Sequence, residues 1–121
     1  RSSDLPKMLQ DFGDIFFFQH ITEAFSEWFL SLGLQAAGWA TASIANTWLN
    51  EVLFNDLTTI QVPTLIIHGT HDKVVPFSLG EIQSQSIKTS TLVPFYYSGH
   101  ATFYDEKDRF NEELARFIEE A

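Results

Sequence analysis

One stretch constrains the fold of this chain more than any other: Thr64-Leu65-Ile66-Ile67, an unbroken apolar run closed by Pro63 and Gly69. A run this short, bounded by a proline and a glycine, fits a strand buried on both faces, as in parallel sheets. Downstream, Pro76 to Lys88 carries Leu79 and Ile82 as the apolar positions of a helix, and a second strand is expected over Thr91 to Tyr97. The unit is β-α-β. Pro94 lacks the N–H that a ladder needs, which sends the second strand to the rim of the sheet. The first strand then has a single neighbour in the chain, so its other edge calls for pairing by strands upstream of Arg1. The last segment, Asp105 to Ala121, sets Phe110, Leu114, Phe117 and Ile118 on one face and Glu112, Glu113, Arg116 and Glu119 on the other. That pattern predicts an amphipathic helix lying over the sheet.

Residues 1–60 read as helix after helix. Leu5, Met8, Leu9 and Phe12 share a helical face behind Ser3 or Asp4 as cap, with Pro6 in the first turn, where its missing N–H costs nothing. Ile21, Phe25, Trp28, Phe29 and Leu32 repeat at helical spacing and are expected to stop at Gly33 as a C-terminal glycine. Ala37, Ala40, Ile44 and Trp48 mark a third helix with a small-residue face suited to close packing, and Asn50 to Thr59 suggests a short fourth. Trp39 and Trp48 are assigned to the core. The chain thus divides into a helical region, 1–60, and a β-α-β-α region, 61–121, of class α/β.

Composition removes several function classes. Net charge is −9, with 7 acids against 2 bases in residues 1–60 and 9 against 5 in residues 61–121, so no basic patch exists to meet a nucleic acid. No apolar run approaches the roughly 18 residues of a membrane span, so a membrane partner is not expected. With no Cys, thiolate catalysis and Cys-based zinc sites fall away, and a reducing, cytoplasmic location is expected. No two histidines have the helical spacing of a zinc site, and neither metal nor cofactor is expected. The chain opens on Arg1, not Met, as though cut from a longer one.

The chemistry gathers in two loops that follow the C-terminal ends of the two parallel strands, where open α/β sheets place their catalytic groups. The first is His68-Gly69-Thr70-His71-Asp72-Lys73-Val74-Val75-Pro76 and the second Ser98-Gly99-His100. Alone, Asp72 could be a loop aspartate capping the next helix, and His100 a solvated loop histidine. Their placement on neighbouring strand ends favours a pair, because an imidazole acting as base must be held in one tautomer by a carboxylate on its far nitrogen. His68, ending a strand, is expected to be packed and hydrogen-bonded; His71 and His20 are expected on the surface. Ser98 is a poor nucleophile candidate, two residues from His100 and without a strained turn to expose it.

The string Val62-Pro63-Thr64-Leu65-Ile66-Ile67-His68-Gly69, then Asp72, Val75-Pro76, Ser98-Gly99-His100 and a closing amphipathic helix resembles the last two strands of α/β-hydrolases. The resemblance is close from Gln61 onward. It implies that Asp72 is the acid and His100 the base of a nucleophile–His–acid triad, in the order acid then histidine that the family shows. It also implies that residues 1–60 are a helical cap inserted before the acid-bearing strand. None of the 6 glycines sits in Gly-x-Ser-x-Gly, so the nucleophile and its oxyanion hole are missing from this chain. The implied parent is a serine hydrolase of esterase type, acting on a small, rather apolar ester or acyl substrate. Its relatives include perhydrolases with the same triad and dehalogenases with an aspartate nucleophile. Most of the rings Phe16, Phe17, Phe18, Phe25, Trp28 and Phe29 are expected to pack among themselves and on the sheet; Phe17 and Phe29 are assigned to the substrate pocket. The expected partner is the missing N-terminal half, or a second copy in a dimer. A reading of another class stays open, in which Asp72 and His100 are vestigial and the chain is a non-catalytic module that works by association.

Overall fold

The computed structural model describes residues 4–121. Its sheet is the expected parallel pair, β1, Thr64–Gly69, and β2, Ser90–Phe95, in the register Thr64↔Ser90 to Gly69↔Phe95; β2 stops at Phe95 and not at Tyr97, because the chain turns at Tyr96 and Tyr97. Between them runs α5, Phe77–Ser86, which packs against both strands. Pro94 stands opposite His68 in β2, which has β1 as its one paired neighbour among the described residues. β1 is less buried than its sequence suggests. Ile66 and Gly69 are buried, whereas Leu65 and Ile67 are half-buried, because only one edge and part of each face are covered.

The closing segment forms two helices, a single turn α6, Thr102–Asp105, and then α7, Lys107–Glu120, so the long helix starts two residues later than its pattern implies. α7 lies across the face that carries Leu65, Thr91 and Val93, over a cavity of about 330 Å³. Near its start, the Arg109 guanidinium sits 4.4 Å above the centre of the fully buried Phe95 ring. Ile66, Ile87, Phe95 and Ala101 make up the apolar core, together with the buried polar residues Ser98 and Thr102. That core is small: Phe95, Ser98, Ala101 and Thr102 lie at the loop end of the sheet and Ile87 at its other end.

The first half is helical. α1, Leu5–Phe16, and α2, Glu23–Leu34, pack on each other; α3, Gly38–Asn50, and the one-turn α4, Phe54–Leu57, follow. Several sequence-based expectations need correction here. Asp4 precedes α1 in helical conformation and its side chain caps nothing, while Ser3 lies outside the described residues. Gly33 does not end α2, which runs on to Leu34; a Cβ at Gly33 would meet Leu9 Cδ2 at 2.8 Å, so the glycine serves the close approach of α1. The fourth helix is four residues, not ten. Trp39 and Trp48 are not core: they are 79% and 78% exposed. α3 has no extensive contact with another element among the described residues, so its apolar side chains have nothing to bury against.

Candidate active site

Parallel register brings the C-terminal ends of β1 and β2 side by side, so the loops that leave them start as neighbours. Pairing continues past the strands: the Thr70 N–H donates to Phe95 O at 2.9 Å and the His71 N–H to Ser98 O at 3.0 Å. This closeness depends on Gly69, where a Cβ would collide with the main-chain oxygens of Ser98 and Gly99. The two loops can therefore present side chains to one another.

Asp72 and His100 meet there. His100 Nδ1 lies 2.8 Å from Asp72 Oδ2, and the Asp72 side chain is only 4% exposed. The other carboxylate oxygen, Oδ1, accepts the N–H groups of Val74 and Val75, both at 2.8 Å. Two main-chain donors within the loop thus fix the carboxylate plane, whereas α5, which starts at Phe77, receives no side-chain cap from it, and the same carboxylate serves the histidine. With Nδ1 donating to a carboxylate, the imidazole tautomer is set and Nε2 faces away as the nitrogen able to take a proton. The His100 side chain is one-third exposed, and a cavity of about 180 Å³ beside it is lined by Ile67, Asp72, Val75, His100 and Thr102.

The remaining histidines fall into other roles. His68 Nε2 donates to Val75 O at 2.9 Å and passes Asp72 Oδ2 at a longer 3.4 Å, a packed side chain that braces the acid loop. His71 and His20 are exposed, but His71 is not idle: its ring stacks on Phe18 at 4.1 Å. Ser98 is fully buried and donates to Glu106 Oε2 at 2.6 Å, so its hydroxyl proton is engaged by that carboxylate and not by His100. Among the described residues no group of three or more His, Asp or Glu side chains could hold a metal ion.

Phe17 and Phe29 are half-buried and pack edge to face at 5.1 Å, and Phe17 also meets Phe25 and Tyr104. Neither touches His100. The ring that does is Phe16, edge-on to the imidazole at 4.9 Å and joined to Phe17 and Phe29 at 5.0 Å each. The Phe16 carbonyl also accepts the N–H groups of His100 at 3.0 Å and Ala101 at 3.3 Å. The sequence shows the run of three phenylalanines but not which of them faces the histidine, because the run leaves α1 at Phe16 and has no periodicity beyond it.

A β-α-β unit with a buried acid after one strand, a histidine after the next and a closing helix defines the C-terminal portion of an α/β-hydrolase. No family model matches the chain. It is 40% identical over 115 residues to the AB hydrolase superfamily protein YisY of Bacillus subtilis, a match covering 95% of this chain and 43% of that protein. Its fold superposes on an esterase from Exiguobacterium antarcticum with a TM-score of 0.92 at 37% identity, over 98% of this chain and 44% of that one. A bromoperoxidase from Bacillus anthracis gives a TM-score of 0.89 at 25% identity, over 98% and 45%. The chain belongs to the α/β-hydrolase superfamily, and it spans less than half the length of these relatives.

Proposed function

We propose that this chain supplies the acid and the base of a serine hydrolase of esterase type, with Asp72 orienting His100 and His100 moving the proton. The observation that carries the reading is the 2.8 Å bond from His100 Nδ1 to a carboxylate that is almost wholly buried and held by two main-chain donors. In the reaction, a serine hydroxyl from the remainder of the hydrolase fold attacks the acyl carbon as His100 Nε2 takes its proton. The same proton passes to the departing alcohol, and water then repeats the sequence to release the acid. Asp72 stabilises the imidazolium in both halves. Residues 1–60 serve as the cap, and the rings around Phe16, with Phe17 and Phe29, form an apolar wall that suits a small, apolar acyl or alcohol group. A water-soluble aryl ester is the natural probe.

The test uses the complete enzyme that contains this segment. His100→Ala is expected to lower kcat by about 10⁶-fold, and Asp72→Asn by about 10⁴-fold. Phe17→Ala and Phe29→Ala are expected to change the relative kcat/KM of short-chain and long-chain esters while leaving the chemistry intact. Near-normal turnover in His100→Ala would overturn the assignment.

A second reading draws on the surface. The chain exposes 8853 Å², about a third more than the roughly 6,600 Å² expected for a compact monomer of its mass. Trp39, Trp48, Leu49 and Val52 on and after α3 are each more than three-quarters exposed. Surface of this kind supports association, either with an N-terminal portion of the hydrolase or with a second copy in a dimer.

A further inference from the structure

We propose that Asp105 is a positioning residue, whose carboxylate clamps the Phe16–Gln19 segment onto the histidine loop and so fixes His100. Asp105 ends α6, and its partners are main-chain N–H groups from two segments, the nearby histidine loop and the distant Phe18–Gln19 stretch. Oδ2 accepts from Phe18 at 3.0 Å and from Gly99 at 2.8 Å, and Oδ1 accepts from Gln19 at 2.9 Å. Phe18 and Gln19 lie 87 and 86 residues away in sequence, while Gly99 immediately precedes the base. Hydrogen bonds to an ionised acceptor are stronger than neutral ones, and a carboxylate has lone pairs enough for three donors.

The clamp acts on His100 through its surroundings. With the segment seated, the Phe16 carbonyl receives the His100 and Ala101 N–H groups, the Phe16 ring lies edge-on to the imidazole, and Gln19 Nε2 donates to Tyr97 O at 3.0 Å. Gly99 permits the approach, since its Cβ position lies 3.2 Å from Phe16 O and 3.1 Å from Phe18 N. The neighbouring Glu106 holds the other half of the loop, accepting from the Tyr97 N–H and the Ser98 hydroxyl. Removing the Asp105 carboxylate leaves three main-chain donors without their acceptor at the junction of wall and loop. The imidazole then loses its edge support while its bond to Asp72 is still available.

The clamp itself stands on geometry alone; its effect on turnover rests on the triad reading, and the experiment separates the two. In the unmodified chain, scalar couplings across the hydrogen bonds should connect the amide nitrogens of Phe18, Gln19 and Gly99 to Asp105 Cγ. In Asp105→Ala, those three amides should exchange with solvent at least about tenfold faster and the His100 ring resonances should shift, while the Ile66 and Val93 amides of the sheet exchange as before. Asp105→Asn, which keeps one acceptor oxygen, should fall between. In the complete enzyme, Asp105→Asn should lower kcat by about ten- to a hundredfold with KM little changed, the scale of a small misplacement of a catalytic group. Absence of all three couplings overturns the clamp whatever the variants do. Faster exchange with unshifted His100 resonances overturns its role in positioning the base. Shifted resonances with unchanged kcat in the enzyme would count against the triad reading instead.

Discussion

Gly69 carries more of this site than its lack of a side chain suggests, because the acid loop and the histidine loop can touch only if no Cβ stands between them. Gly69→Ala is expected to destabilise the chain by about 3 kcal/mol, the upper part of the range for overpacking, since the obstacle is main chain and cannot rotate away. Chemical denaturation followed by tryptophan fluorescence would measure it; a loss under 1 kcal/mol would show that the loops have another way to meet. Ser98 tests a different point. It is buried on Glu106, and Ser98→Ala should cost about 2 kcal/mol as a bond to a charged acceptor is lost. In the complete enzyme its kcat should stay within a few-fold of normal, and a drop of several orders would reinstate it as a nucleophile.

At the level of elements, legibility tracked how much each pattern depends on local rules. β1, α5, β2 and the closing helix follow from an apolar run, two prolines and an amphipathic stripe, and the strand-end positions of Asp72 and His100 follow from them in turn. The caps were less legible. The cap of α2 is Thr22, whose Oγ1 accepts the Phe25 N–H at 3.2 Å, whereas the expected stop at Gly33 failed because that glycine serves packing against Leu9. Thr22→Ala should lower stability by about 1 kcal/mol in thermal unfolding; no change would mean that tertiary contacts alone hold the start of α2. Burial in α3 was not legible at all. Alternation of small and large residues indicates that a face wants covering, but whether a partner lies within the same chain is not a local property, and Trp39 and Trp48 stand open. The clamp at Asp105 was invisible for a related reason: two of its three donors are main-chain groups 86 and 87 residues away.

Taken whole, the molecule leaves many large apolar side chains exposed, with Ile66, Ile87, Phe95 and Ala101 as its only buried apolar side chains among the described residues. Sedimentation or light scattering is expected to give a mass above 13.8 kDa for the isolated chain. Addition of a polypeptide carrying the preceding part of the hydrolase should convert it to a 1:1 complex. A monodisperse monomer across micromolar concentrations would contradict this. The contacts of Phe16, Phe18 and Gln19 with residues 99–105 have one more consequence, which concerns the direction of synthesis. A nascent chain emerges from its N-terminus, so Phe16 to Gln19 leave the ribosome some eighty residues before their acceptors and donors exist. The helical region can form early, but it cannot settle on the histidine loop until residues 99–105 have been made. The geometry around the base is therefore assembled only after Asp105 has emerged, and a nascent chain halted between Gln19 and Asp105 would display its aromatic segment to the chaperones of the cell.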